Sequence, residues 1–111
     1  MSHWQDELKW HTEDIAATND EMVAAPGVGF QIVVYYLFAS SADTEVLFLN
    51  SDGTNTAIGP RIYFNDSIAD CGSHWFGRYV LPENEALDGN VTGANNVRVS
   101  AGYKIEPVGR A

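Results

Sequence analysis

A single cysteine, Cys71, stands among the 111 residues, so no disulfide can close within the chain. Basic residues are scarce as well: six Lys and Arg face fifteen Asp and Glu, for a formal charge of −9. That balance disfavours nucleic acid and anionic membrane surfaces as direct partners, and it suits a partner with a basic surface. Long apolar runs are missing. The longest, Ile32 to Ala39, has eight residues, against the ~20 of a membrane helix. The opening MSHWQDELKWH lacks the apolar stretch of a secretory leader, and synthesis and residence in a cytoplasm are the expectation. Helical spacing is confined to Trp4, Leu8, His11 and Ile15, and the same stretch from Leu8 to Ile15 also reads as a strand.

Motifs that carry chemistry are equally sparse. His3, His11 and His74 lie far apart with no paired spacing, and neither they nor Cys71 form a metal-ligand pattern. Asp52, Asp66, Asp70 and Asp88 fall in loop-like stretches where a calcium ion could gather them, but turn geometry explains such residues equally well. No nucleophile elbow, phosphate-binding loop or paired-carboxylate signature occurs. The expectation is a protein that is not an enzyme and that holds no cofactor and no metal. Asn65 and Asn90 match the glycosylation pattern, which carries little weight in a cytoplasmic chain.

What the chain does have is strands. Residues 29–39, GFQIVVYYLFA, are apolar at both parities: Phe30, Ile32, Val34, Tyr36 and Phe38 on one, Val33, Tyr35, Leu37 and Ala39 on the other. A strand of a small solvated sandwich should alternate apolar with polar. One that does not is either central and covered twice or covered on its second face by another chain, and a chain of 111 residues makes the second a serious expectation. Further strands are expected at 22–25, 45–49, 57–64 with a bend at Gly59-Pro60, 75–81, 86–92 with an interruption at Asp88-Gly89, and 97–105, with residues 65–74 as a loop. Roughly eight short strands at spacings of about 8–12 residues predict an all-β fold, a single antiparallel β-sandwich of jelly-roll type. The expected organisation is an N-terminal arm with a first strand over 1–17 and the sandwich over 18–111. Residues 1–21 hold six acids and one lysine, more than half of the net charge.

Trp4 and Trp10 sit in this acidic segment with no evident core of their own to enter, and amphipathic aromatics favour interfaces. They are candidate contacts to a neighbouring subunit. Trp75 and Phe76 belong to a strand, where core and rim packing accounts for them, or else they stack on a sugar.

The segments from Val23 to Gly27, Ile32 to Val34, Thr44 to Phe48, Gly59-Pro60, Trp75-Phe76, Pro82 to Leu87 and Val97 to Tyr103 form an ordered series. That series resembles small β-sandwich virion proteins and modules of tailed bacteriophages, over about residues 18–106. The resemblance implies a structural virion component and supplies no catalytic residues. On it, the expected role is a capsid decoration (cement) protein on the outside of the head. Its partners would be the major capsid protein and copies of itself, in a cluster such as a trimer, with Val33, Tyr35 and Leu37 as the packing face. The alternative is a tail or head-fibre module that binds a host surface glycan, through Trp75, Phe76 or the 65–74 loop, or another tail protein.

Overall fold

The structure, a computed structural model, describes residues 8–16, 18–41, 45–64, 71–93 and 95–109, with backbone alone for Pro60 and for 71–75. Eight strands follow in order: β1 (Lys9–Ile15), β2 (Asp20–Val23), β3 (Phe30–Ser41), β4 (Glu45–Ser51), β5 (Ala57–Phe64), β6 (Cys71–Val80), β7 (Leu87–Val91) and β8 (Val97–Pro107). They form two four-stranded sheets, ordered β1-β8-β3-β6 and β2-β7-β4-β5. Every pairing is antiparallel. The first strand pairs with the eighth, the second with the seventh, the third with the sixth and the fourth with the fifth. The chain is thus a long hairpin rolled up on itself, which is the jelly-roll arrangement of the β-sandwich.

Alternation places the core. Val97, Val99 and Ala101 of β8 and Ile32, Val34, Leu37 and Ala39 of β3 line the inner face of one sheet, and Leu47 and Leu49 of β4 meet them from the other. Each Val, Ile or Leu among them contributes about 1.5–3 kcal/mol relative to exposure. Pro26-Gly27, a turn signal ahead of β3, does form a turn: Gly27 takes a φ of +110°, and its carbonyl accepts the Phe30 N–H at 3.1 Å.

Four expectations need correction. In β3, strict alternation fails at a bulge: Val34 and Tyr36 pair with adjacent residues Tyr103 and Gly102 of β8, leaving Tyr35 as the extra residue. Beyond it the parity flips, so Leu37 and Ala39 enter the core while Tyr36 and Phe38 turn outward. Asp88-Gly89 does not interrupt β7, whose five residues are all buried and continuously paired with β4. Cys71 to His74 are strand rather than loop, paired with Ser41 to Phe38; residues 65–70 lie outside the described residues. Finally, β1 is an edge strand of the sandwich, in register with β8 from Lys9↔Tyr103 to Ile15↔Val97. The division at residues 17 and 18 therefore does not separate an arm from the domain.

Candidate functional site

One row crosses the whole of the β1-β8-β3-β6 sheet on its outer face. Trp10 pairs with Gly102, Gly102 with Tyr36, and Tyr36 with Phe76. Gly102 is the floor of this row. A β-carbon there would stand 2.8–3.1 Å from the Trp10 indole, so only glycine lets the ring lie across β8. Trp10 then stacks on Tyr36 at 5.9 Å between ring centroids and meets Phe38 at 6.1 Å. Tyr36 reaches Phe76 at 6.2 Å. These separations suit offset and tilted aromatic pairs. The four rings remain open to solvent: Trp10 is 54% exposed, Tyr36 37%, Phe38 45% and Phe76 71%. A contiguous aromatic surface on the outer face of a sandwich sheet marks an interaction site.

Polar groups frame the row and neutralise one another. On one side Thr12 and Ser100 share a hydrogen bond of 2.7 Å, and Arg98 pairs with Asp14 at 3.0 Å. On the other, the Tyr35 hydroxyl donates to Glu106 at 2.5 Å, and Arg78 pairs with the same carboxylate at 3.1 Å. The Lys104 ammonium stands 5.4 Å from the Tyr35 ring. Burial, with the Glu106 carboxylate beside it, holds the Tyr35 phenol above its ordinary range.

The residues expected to form a packing face thus divide. Trp10 belongs to the row, but it has partners within its own chain, contrary to expectation. Tyr35 is on the same face, tied into the polar frame. Val33 is fully buried, although its neighbours Ile32 and Val34 take the inward side. Leu37 is a core residue, 1% exposed, and is withdrawn from the face because the bulge reverses its side. Phe76 closes the row. Trp75 pairs with Leu37 through its backbone; its side chain and all of Trp4 lie outside the described residues. Tyr36 and Phe38 stand on the opposite side from Ile32 and Val34, against strict alternation, and Gly102 completes the row without any expectation attached to it. A glycine inside an otherwise regular strand was the signal that another group approaches its backbone closely.

The opposite sheet carries a different surface. A cleft of about 340 Å³ is lined by Asn19, Asn50, Asn55, Asn90, Phe48 and Arg61, among others. Its amides are linked: Asn90 Nδ2 donates to Asn50 Oδ1, Asn50 Nδ2 to Asn55 Oδ1 at 3.0 Å, and the Asn19 N–H to Asn90 Oδ1 at 2.6 Å. Asn90 is therefore a buried structural amide. Arg61 lies over the Phe48 ring at 4.2 Å. Beside this network Asp88 is 2% exposed. Burial first, then the charges of Asp52, Glu21 and Asp20, push its carboxyl up to about 6.

Among the described residues, no group of three or more His, Cys, Asp and Glu side chains is placed to hold a metal ion. Asp66 and Asp70 lie outside the described residues, as does His3. Compared with models of protein families, with curated proteins and with solved structures, the chain matches none.

Proposed function

We propose that this chain is a structural virion subunit, a decoration protein bound to the outside of a tailed-phage head and made in the host cytoplasm. The observation that carries the reading is the aromatic row of Trp10, Tyr36, Phe38 and Phe76, exposed on the outer face of a jelly-roll sheet. It supports a protein that acts by being packed against other protein. The ordered series of strand and turn segments supplies the phage part of the reading. A decoration protein works by burying surface across subunit boundaries, ~800 Å² per partner for a specific contact. Repetition over many copies multiplies the effect. The net charge of −9 suits a basic docking surface on the capsid protein.

A second reading is a tail or head-fibre module that binds a surface glycan. It is favoured by the amide-lined cleft, where Asn55 and Arg61 stand at an opening of sugar size. Co-sedimentation with tailless heads separates the two. Saturable binding at hundreds of copies per head, with heads made more heat-resistant, is the result expected of the decoration protein. Binding only to tails or to host cells overturns that role in favour of the second.

A further inference from the structure

The geometry points to further copies of this same chain as what covers the aromatic row, an inference that rests on the virion-subunit reading and names the partner of its packing face. The first argument is charge. The outer face of the β1-β8-β3-β6 sheet carries Arg78, Arg98 and Lys104 against Asp14 and Glu106, while the whole chain stands at −9. Both acids of this face are paired with its arginines. The face is therefore close to neutral, in a molecule whose remaining charge is strongly negative.

Two copies approaching by any acidic surface repel, whereas two approaching by this face bring together neutral, mutually paired groups. A basic partner is drawn elsewhere, to the acid-rich remainder. Glu45 and Asp88 of the β2-β7-β4-β5 sheet are buried, but Asp20 and Glu21 of β2 and Asp52, Glu83 and Glu85 in the loops reach solvent, against Arg61 of β5. The charge distribution thus assigns the two kinds of partner to different surfaces: like chains to the aromatic row, a basic capsid surface to the acidic remainder.

The second argument is area. Aromatic side chains bury about 150–250 Å² each, and at the observed exposures the four rings present roughly 400 Å² of open surface. That is about half of the ~800 Å² per partner found in stable interfaces. Val80, Thr12 and Ser100 surround the rings on the same face and extend the surface that a facing copy would cover. A central aromatic cluster inside a rim of paired polar groups is the anatomy of an interface with hot spots. Homo-oligomers with closed symmetry are also the default assembly of soluble subunits.

The test is the oligomeric state of the full chain by light scattering after gel filtration, at micromolar concentration, in low and in molar salt. The expected result is a closed oligomer that persists in high salt, because screening removes the residual repulsion between acidic copies without touching the neutral face. Phe76→Arg and Phe38→Arg each raise the dissociation constant by at least about 30-fold, the weight of a hot-spot aromatic. Their circular dichroism stays that of the parent, because both rings are open to solvent. Tyr63→Arg changes a ring that is 71% exposed on the other sheet, and it leaves the oligomer intact. A monomer at both salt concentrations overturns the inference, as does an oligomer that salt dissolves or that survives both arginine substitutions. Head binding by a monomer would sink this inference and spare the virion role. An oligomer that ignores heads would do the reverse.

Discussion

Replacing Asp88 by Asn should stabilise the protein at neutral pH, against the usual direction for a substitution at a buried site. Asp88 lies on β7 between Asn50 of β4 and Glu21 of β2. It is 2% exposed, and no hydrogen bond from a described residue lowers its carboxyl; burial and three acidic neighbours raise it from 3.8 to about 6. The sign follows from linkage. A carboxyl with a folded-state value above its unfolded one binds its proton more tightly in the fold, so stability rises as pH falls through that window. Above pH 6 the fold carries the full cost of the charge, and below 3.8 it carries none. The shift from 3.8 to about 6 is worth about 3 kcal/mol. Asparagine removes the charge but still buries an amide, at a cost of about 1–2 kcal/mol, so the expected net gain is about 1–2 kcal/mol at pH 7.5. Urea unfolding of both proteins at pH 7.5 and pH 4.5 measures it. The gain should shrink as pH falls between those values. An Asn variant less stable than the parent at pH 7.5, or equally shifted at both pH values, would refute the reasoning.

The second buried carboxylate behaves oppositely. Glu45 Oε1 accepts the N–H groups of Val46, Thr92 and Gly93 and the Thr92 hydroxyl at 2.8–3.0 Å, and Oε2 accepts the Asn95 N–H at 3.2 Å. Burial pushes its carboxyl up, but these donors outweigh it and hold the group below its usual 4.5. Its contribution to stability is present above pH 4.5 and lost as pH falls below it. Glu45→Gln sets an amide against the Asn95 N–H and should cost about 2–3 kcal/mol at pH 7, with a smaller difference near pH 3, read by the same urea curves. Gly102→Ala pushes a β-carbon into the Trp10 indole and should displace it. A loss of about 1–3 kcal/mol of stability, together with weaker self-association in light scattering, is expected; an unchanged oligomer would show that the indole's seat on β8 does not matter.

Much of the fold was legible because most strands obey alternation. Val97, Val99 and Ala101 alternate with Arg98, Ser100 and Gly102, and all three apolar residues are in the core. The turn at Pro26-Gly27 was legible too, and Gly27 takes a positive φ, whereas Asn19, Asn55 and Asn84 take the same conformation without any sequence signal that set them apart. The site was legible only in part. Trp10 could be singled out as an unplaced aromatic, but its seat is on β8, about ninety residues away, and sequence spacing carries no trace of that pairing. The parity of Tyr36 and Leu37 was hidden because a bulge arises from how a strand fits its neighbours on both sides, and nothing in GFQIVVYYLFA marks Tyr35 as the extra residue. Asp88-Gly89 looked like a turn for a related reason. Gly89 has no side chain because Ile15 and Met22 fill the space its β-carbon would need, 2.7–3.2 Å away.

The two explanations open for the doubly apolar strand divide between its halves. Its first half is covered from within: Val33 is fully buried on the outward side, between Val80 of β6 and Lys104 of β8 in register. Its second half is not. Past the bulge, Tyr36 and Phe38 stand in the open, joined from both edges of the sheet by Trp10 and Phe76. On the neighbouring sheet the corresponding side of β4 and β7 holds the buried polar residues Asn50, Asp88 and Asn90 beside Phe48. The open part of these rings adds little to the stability of the lone subunit, because surface left in water contributes none of its burial energy. Surface of this kind becomes stabilising only when a second surface covers it. The near-neutral frame around it then favours the one partner that the charge of −9 would otherwise keep away, another copy of the chain.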